Sequence, residues 1–320
     1  MPPSPVKSVS SFPDTIAIII VTFQNAGEIA DCLQSLLKAA PERRVHLLLI
    51  DNASTDGTRQ AIHAARNHLP PSRFRVDLIL NDENLGFTRA VNQGLARYSV
   101  MPENYNAPVL FLNPDTILPS GGLAALLEKL YAHPEIGLIA PQLIYDDGRI
   151  QPSCRRFPTQ WNLFCELFGL SRLFPRSPWF NRWKMGDFDH RQAMEVDQPQ
   201  GACLLARPEV IAQVGEWDER FPIFFSDVDW CKRVWQRGWK IYFEPSVQII
   251  HAQGVSVRQV RTTAICSSHV SFWRYLRKHE NNWRGQFLNL IFGPLLIFAA
   301  IFRLISSRLN RTRRALPDAN

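Results

Sequence analysis

The run Val109-Leu110-Phe111-Leu112-Asn113-Pro114-Asp115-Thr116 decides how this chain folds. Four successive apolar residues read as a buried strand, and Asn113-Pro114 stops it, because proline disfavours helix in the residue before it and donates no ladder hydrogen bond. Asp115 is left at the strand's carboxyl end. In an open α/β sheet that edge is where ligands bind. A carboxylate there suits a divalent cation holding a diphosphate, since hard cations take oxygen ligands. The tripeptide is equally an ordinary turn signal, so the surrounding segments have to choose between the two readings.

Upstream, the same pattern occurs three times. Ile16 to Val21 is a β-branched run of strand length ending in Thr22-Phe23-Gln24-Asn25, and a helix with Ile29, Leu33, Leu36 and Leu37 on one stripe follows over residues 26–39. Val45 to Ile50 runs into Asp51-Asn52-Ala53-Ser54-Thr55-Asp56-Gly57-Thr58, where Ser54 or Thr55 is expected to cap the next helix. Val76 to Leu80 leads into Asn81-Asp82-Glu83-Asn84-Leu85-Gly86-Phe87 and a helix carrying Ala90, Val91, Gly94 and Leu95. Strand, polar turn and helix in alternation predict a parallel sheet with right-handed crossovers. Each strand delivers Asp, Asn, Ser or Thr to one edge, groups that can pair with a base and a ribose. Neither G-x-G-x-x-G nor G-x-x-x-x-G-K-[ST] is present, so the phosphates are expected to meet a cation instead of a glycine nest.

Val21-Thr22-Phe23, the Asp51 to Thr58 run, Asn84-Leu85-Gly86-Phe87 and Leu112-Asn113-Pro114-Asp115 resemble, in order and spacing, the family 2 glycosyltransferases of the GT-A fold. The nearest resemblance is to the rhamnosyltransferase-like branch, in which Asn-Pro-Asp stands for the usual Asp-x-Asp. It covers about residues 14–260. It implies an α/β nucleotide-diphospho-sugar transferase fold with a mostly parallel central sheet flanked by helices. It also implies a nucleotide-sugar half over 14–116 and an acceptor-binding, catalytic half over 117–260, after a flexible terminus over 1–13. By resemblance Thr22, Phe23 and Asn25 surround the nucleotide, and Asp51 accepts from the base with Asn52 and Ser54 beside it. Asn84, Gly86, Phe87 and Asn92 line the pocket, and Asn113 faces the ribose or phosphate.

The second half adds Gln200-Gly201-Ala202-Cys203-Leu204-Leu205, read as a strand, with Gln200 and Gly201 placed near the donor sugar by the resemblance. Trp217 and Asp218 follow, both expected on the substrate side, then Ser226-Asp227-Val228-Asp229, which opens a helix ending before Gly238, a C-cap glycine. Asp227 and Asp229 sit where the helix dipole favours carboxylates. Asp227 matches the Asp of the family's Glu-Asp pair and is expected to be the base of an inverting displacement, with Asp229 on the substrate side. Ser226 stands where that pair has its Glu. Tyr242 to Pro245 and Val247 to Ile250 read as strands, and His251, opening H-x-x-G-x-S, is expected by resemblance to be a second metal ligand beside Asp115, for Mn²⁺ or Mg²⁺. Trp161 to Asn181 is aromatic and aperiodic, and is expected to be an acceptor-side insertion; Arg155-Arg156 just before it suit an acidic group.

Charge is unevenly distributed within the net +7: residues 255–320 hold eleven Lys/Arg against two acids, Glu280 and Asp318. Phe272, Trp273, Tyr275 and Leu276 alternate there with Arg274, Arg277 and Lys278. Phe287 to Phe302 is almost wholly apolar but interrupted at Gly293-Pro294, short of the roughly 20 residues that a span needs. Apolar, aromatic and cationic groups together predict an amphipathic helix on an anionic membrane surface, not nucleic acid binding, and leave a homo-oligomer open. Six scattered cysteines without C-x-x-C spacing fit a reducing compartment, and residues 1–14 show no signal-peptide core. A peripheral position on the cytoplasmic face of the plasma membrane follows as the expectation.

The function expected is an inverting, metal-dependent transfer of a sugar, with rhamnose as the resemblance's candidate, from a dTDP- or UDP-sugar donor. The acceptor is a saccharide or a polyprenyl-linked saccharide in cell-surface polysaccharide synthesis. Two alternatives compete. A sugar-phosphate nucleotidyltransferase would need a glycine-rich, basic loop after the first strand, which Thr22-Phe23-Gln24-Asn25 does not supply. An inactive, nucleotide-binding membrane adaptor is kept open by Ser226.

Overall fold

The computed structural model describes residues 13–39, 43–101, 106–252, 261–280 and 282–315; the side chains of 261–266, 300 and 302–315 are not among those described. Residues 1–12 of the stretch expected to be flexible, and Gly254 and Ser256 of H-x-x-G-x-S, lie outside the described residues.

The apolar runs become strands because each is covered on both faces. β1 (Thr15–Thr22), β2 (Arg44–Asp51) and β3 (Phe74–Leu80) pair in parallel, and β4 (Val109–Leu112) joins the other side of β1 in parallel. Along β1 the strand period divides the side chains: Ile16, Ile18 and Ile20 enter one apolar cluster, Ala17, Ile19 and Val21 the other. α1 (Ile29–Ala39) and α2 (Thr58–Arg66) cover the first face, and α3 (Phe87–Ser99) the second. Gly94 of α3 allows that closeness, since a Cβ there would lie 2.7 Å from Ile19 Cγ2. Neither Ser54 nor Thr55 caps α2. Gly57, in the left-handed region at φ 96°, is the N-cap, and Asp56 instead accepts from the Thr58 amide at 3.1 Å. A glycine is needed there because the loop must turn in a conformation that a Cβ resists.

Beyond β4 the sheet changes sense. β5 (Thr116–Ile117), α4 (Gly122–Ala132), β6 (Ile136–Ile144), β7 (Cys154–Arg155), α5 (Gln160–Leu167) and α6 (Leu170–Leu173) follow, then β8 (Met194–Glu195), β9 (Gln198–Pro199), β10 (Cys203–Ala206), α7 (Pro208–Val214), α8 (Ser226–Gln236) and β11 (Lys240–His251). The nine-stranded sheet runs β3-β2-β1-β4-β10-β6-β11-β5, with β8 on β11, and β7 pairs β9 apart from it. β10 lies antiparallel between β4 and β6, so the sheet is mixed, with parallel pairing across β3-β2-β1-β4 and again between β6 and β11. It is also continuous across residue 116. The segments read as two strands around Tyr242 to Ile250 are one strand, β11, with a register shift between Glu244 and Gln248 that accommodates Pro245.

The 161–181 segment is not aperiodic throughout. Thr159 and Asn162 form a capping box that starts α5. At the C-terminal end α9 (Arg261–His279) and α10 (Trp283–Ala315) pack on each other and against α5, and Leu163, Phe225, Val228, Phe272, Tyr275 and Leu296 share one apolar cluster. Among the described residues no helix is long and apolar enough to cross a membrane.

Candidate active site

The strand ends of the first half are knitted together by their own polar side chains. Asp51, fully buried, accepts from Thr22 Oγ1 at 3.1 Å, from the Ser54 amide at 3.1 Å and from Arg59 Nε at 2.6 Å. Asn52 donates to Asn84 Oδ1 at 2.8 Å and accepts from Asn81 and from the Leu85 amide. Asn84 Oδ1 also accepts from the Gly86 amide at 2.9 Å. Gly86, at φ 85°, has a left-handed backbone and lies so close to Pro222 that a Cβ would meet its carbonyl oxygen at 3.2 Å. Gln24, not expected as a site residue, clasps the 54–56 loop: its Oε1 accepts from the Thr55 and Asp56 amides while its backbone N–H donates to Ser54 Oγ. Asn25 is buried in this turn; its Oδ1 accepts from the Phe23 amide and its own amide donates to Thr58 Oγ1. Thr22, Phe23, Asn25, Asp51, Asn52, Ser54, Asn84 and Gly86 therefore form one connected rim.

At the end of β4, Asn113, Asp115 and His251 converge. His251 Nε2 lies 3.5 Å from Asp115 Oδ1 and 3.4 Å from Asn113 Nδ2. His251 Nδ1 is 2.7 Å from Oε1 of the buried Gln151, whose amide nitrogen reaches the His251 carbonyl at 3.5 Å. That pairing puts the ring proton on Nδ1 and turns the Nε2 lone pair toward Asp115. Burial raises the Asp115 pKa, opposed by His251, and lowers the His251 pKa, opposed by Asp115. A carboxylate oxygen and an imidazole lone pair thus face each other across a short gap, an arrangement a cation between them relieves. Among the described residues no group of three or more His, Cys, Asp or Glu gathers as a metal centre. Asp115 and His251 are the pair here that could hold a cation.

The third cluster surrounds Asp227 in the first turn of α8. Its Oδ2 accepts from Gln198 Nε2 and from the Gly201 amide, each at 3.0 Å, and its Oδ1 from the Val228 amide at 2.9 Å. Burial pushes the Asp227 pKa up, and the Gly201 and Val228 amides and the Arg155 charge draw it partly back. Gly201 has to be small, because a Cβ would come within 3.1 Å of Asp227 Cβ. The next residue, Ala202, accepts from the Asn113 amide at 2.8 Å. Two consecutive residues therefore link Asp227 to the Asn113, Asp115 and His251 group.

Residues 17–181 match the profile of glycosyl transferase family 2. The chain belongs to this family. It is a glycosyltransferase, with the GT-A fold. It is 30% identical over 307 residues to N-acetylglucosaminyl-diphospho-decaprenol L-rhamnosyltransferase of Mycobacterium tuberculosis, covering 94% of this chain and 96% of the relative. Among solved structures it is similar to the mannosyltransferase PcManGT from Pyrobaculum calidifontis in complex with GDP-Man and Mn²⁺, with a TM-score of 0.56, 16% identity and coverage of 96% of this chain and 81% of that one. It is also similar to GalNAc-T7 with UDP, GalNAc and Mn²⁺, with a TM-score of 0.54, 14% identity and coverage of 76% and 44%. At these identities the two structures speak for the fold alone.

Within this glycosyltransferase several expected site residues have other work. Trp217 is 1% exposed, stacked on Trp230 at 5.5 Å and tilted on Phe111, so it is a core residue and offers no face to a substrate. Asn92 binds the backbone of Trp217 twice, through Nδ2 to its carbonyl and Oδ1 from its amide, which fixes the 217–222 loop on α3. Phe87 meets Trp217 edge-on at 5.9 Å. Asp229 is fully buried and its carboxylate is shared by Arg233 at 3.0 Å, Lys278 at 2.6 Å and His279 at 2.8 Å. Asp218 takes Arg220 at 2.6 Å and Lys278 at 2.7 Å, and those partners hold its pKa well below the usual range against the effect of burial. Asp229 thus anchors α9 to α8, and Asp218 anchors it to the loop before α8. Gln200 is half-buried, its backbone N–H donating to the Ser153 carbonyl. Gln151, Gln198 and Gln24 were missed because a neutral amide in an unremarkable context carries no signal of its own.

Proposed function

We propose that this enzyme transfers a sugar with inversion from a nucleoside diphosphate-sugar to a lipid-linked saccharide in cell-surface polysaccharide synthesis. A dTDP-rhamnose donor and a polyprenyl-diphosphate-linked acceptor are the specific reading. The donor and acceptor follow from the rhamnosyltransferase relative, matched end to end at 30% identity. The observation that carries the mechanism is the position of Asp227, two residues of backbone away from the Asn113, Asp115 and His251 group. The connected rim from Thr22 to Gly86 receives the nucleotide, with Asn113 toward the ribose or phosphate and Gln200 and Gly201 toward the sugar.

Asp227 takes the proton of the acceptor hydroxyl as that oxygen attacks the anomeric carbon. Gln198 and the Gly201 and Val228 amides fix the carboxylate, and no glutamate neighbour is needed for that orientation, so Ser226 is compatible with activity. Asp115 and His251 would hold a divalent cation; one nitrogen and one oxygen ligand suit Mn²⁺ better than Mg²⁺. Such a cation, when bound, neutralises the leaving diphosphate. The basic, apolar C-terminal helices hold the enzyme peripherally on the cytoplasmic face of the membrane.

Two results are expected here. Gln151→Leu removes the acceptor that sets the His251 tautomer and should weaken Mn²⁺ binding by about 10–100-fold, read by electron paramagnetic resonance titration; unchanged affinity removes Gln151 from the site. The transfer rate kcat/KM should rise with pH through the Asp227 pKa, because only the ionised base accepts a proton. Burial places that limb above the ordinary aspartate value of 3.8, and Arg155→Leu should move it higher still by removing the charge that stabilises the carboxylate. A limb unmoved in Arg155→Leu would assign it to another group. The overall reading is tested by release of nucleoside diphosphate with and without acceptor. Pyrophosphorolysis of the donor would indicate a nucleotidyltransferase instead, and donor binding without turnover an adaptor.

A further inference from the structure

α10 is turned inside out. Its inward face carries Gly285, Asn289, Gly293 and Leu296, of which Asn289 is 3% exposed. A Cβ at Gly285 would stand 2.7 Å from the Glu280 carbonyl oxygen, and one at Gly293 3.1 Å from Trp273 Nε1, so these small residues let the helix settle on its neighbours. The outward face carries Trp283, Phe287, Leu290, Ile297, Phe298 and Ile301, spaced by three, four and seven, and exposed by 75, 60, 76, 63, 69 and 48%. A stripe of that period normally faces a core.

A second exposed apolar group lies on the segment that packs against the inward side of α10. α5 packs alongside, with Gln160 Nε2 3.5 Å from Asn289 Oδ1 and Leu163 in the same cluster as Leu296. On this segment Trp161, Phe168, Leu173 and Trp179 are exposed, the last three at 60, 69 and 73%. Trp161 Nε1 donates to the Trp179 carbonyl at 3.1 Å, which fixes one aromatic residue against the other. An apolar surface on two separate parts of the chain is larger than a scatter of exposed side chains, and a patch of that kind marks an interaction site.

Charge identifies the occupant. Between residues 281 and 317 the sequence has Arg284, Arg303, Arg308, Arg311, Arg313 and Arg314 and no acid. The α5–α6 segment adds Arg172, Arg176 and Arg182, while its acid, Glu166, is neutralised by Lys184 at 2.7 Å. A second copy of the chain would press like charges together, whereas an anionic leaflet meets both the apolar and the cationic groups. We propose that α10 and the α5–α6 segment together form one membrane-docking face, lying in the headgroup layer of an anionic bilayer. This rests on the lipid-linked acceptor of the proposed function and extends it: the 160–181 segment is a second membrane contact, not an acceptor subsite. The face is coupled to the cleft, because α5 starts a few residues after Arg155, whose charge acts on Asp227. Docking therefore sets the cleft at the depth where the saccharide of a lipid-linked diphosphate emerges.

The test is flotation of the full chain with phosphatidylcholine vesicles, with and without phosphatidylglycerol, and with no substrate present. The wild type should float with the anionic vesicles, and less with neutral vesicles or at high salt, which screens exposed charge. The triple variant Phe168→Ser, Leu173→Ser, Trp179→Ser should lose at least about tenfold in vesicle affinity, while keeping its melting temperature and its thermal shift with donor. As a second reading, Leu173→Cys in a Cys266→Ser background can be labelled selectively, since the other cysteines, Cys32, Cys154, Cys165, Cys203 and Cys231, are buried. An environment-sensitive fluorophore at position 173 should shift to shorter wavelength on adding anionic vesicles. The proposal is overturned if the triple variant floats like wild type with no shift at position 173, or if the wild type ignores vesicles and forms a dimer that the triple variant abolishes. Because the assay contains no substrate, either result leaves the transferase reading standing. Loss of acceptor-dependent turnover with normal flotation would remove that reading alone.

Discussion

Asp229→Ala should lower the stability of the protein by about 3–5 kcal/mol, because it removes the buried carboxylate that Arg233, Lys278 and His279 share. Asp229 is 0% exposed, and the side chains around it, His279 at 5% and Lys278 at 23%, have little water to fall back on. In a protein of this size that loss corresponds to a fall in melting temperature on the order of 10 °C. Burial raises the Asp229 pKa, but the hydrogen bonds from His279 and Lys278 outweigh it and the net direction is down. A depressed carboxylate contributes stability that is complete above its unfolded pKa, near ~3.9, and is lost as pH falls through the lower folded value. The wild type should therefore lose this contribution only in strong acid, and Asp229→Ala should lack that acid-dependent component. Faster amide exchange in α9, which Lys278 and His279 attach to α8, should accompany the change. A melting temperature within about 2 °C of wild type would show that α9 is held chiefly by the apolar cluster around Phe225, Phe272 and Tyr275.

Asp227→Asn should reduce acceptor-dependent transfer by about 10²–10⁴-fold, the range a positioned general base contributes. The amide is nearly isosteric, and its oxygen can still accept from the Gly201 amide and Gln198, so the fold and the donor pocket should persist. Donor-induced thermal stabilisation should then match wild type, since it depends on occupancy of the native state and not on turnover. This separates Asp227 from Asp229, two residues away on the same helix: the first should remove activity and spare stability, the second should do the reverse first. Loss of donor binding in Asp227→Asn would mean the carboxylate serves the donor, not the acceptor hydroxyl.

What was legible in the sequence follows from burial. Ile16 to Val21, Val45 to Ile50 and Val109 to Leu112 are covered on both faces, so they appear as unbroken apolar runs with polar residues at one end. The 160–167 helix was hidden because its apolar residues serve two surfaces, Leu163 inward and Trp161 outward, which blurs a single stripe. The site divides in the same way. Carboxylates and the histidine at strand ends were visible by type and place, and the structure gathers Asp115 with His251 and sets Asp227 nearby. The function of Asp229 was not legible, because its partners Lys278 and His279 lie about fifty residues further on and meet it only in the folded chain. Gln151 and Gln198 were invisible for a related reason: what they do is decided by a hydrogen bond to a residue distant in sequence.

The measurement that bears most directly on this account is nucleoside diphosphate release from dTDP-rhamnose with Mn²⁺, for the wild type and Asp227→Asn side by side, with and without a polyprenyl-diphosphate-linked saccharide. The account predicts release by the wild type that depends on the acceptor, and its loss in Asp227→Asn while donor binding is retained. Acceptor-dependent release by Asp227→Asn at the wild-type rate would contradict it.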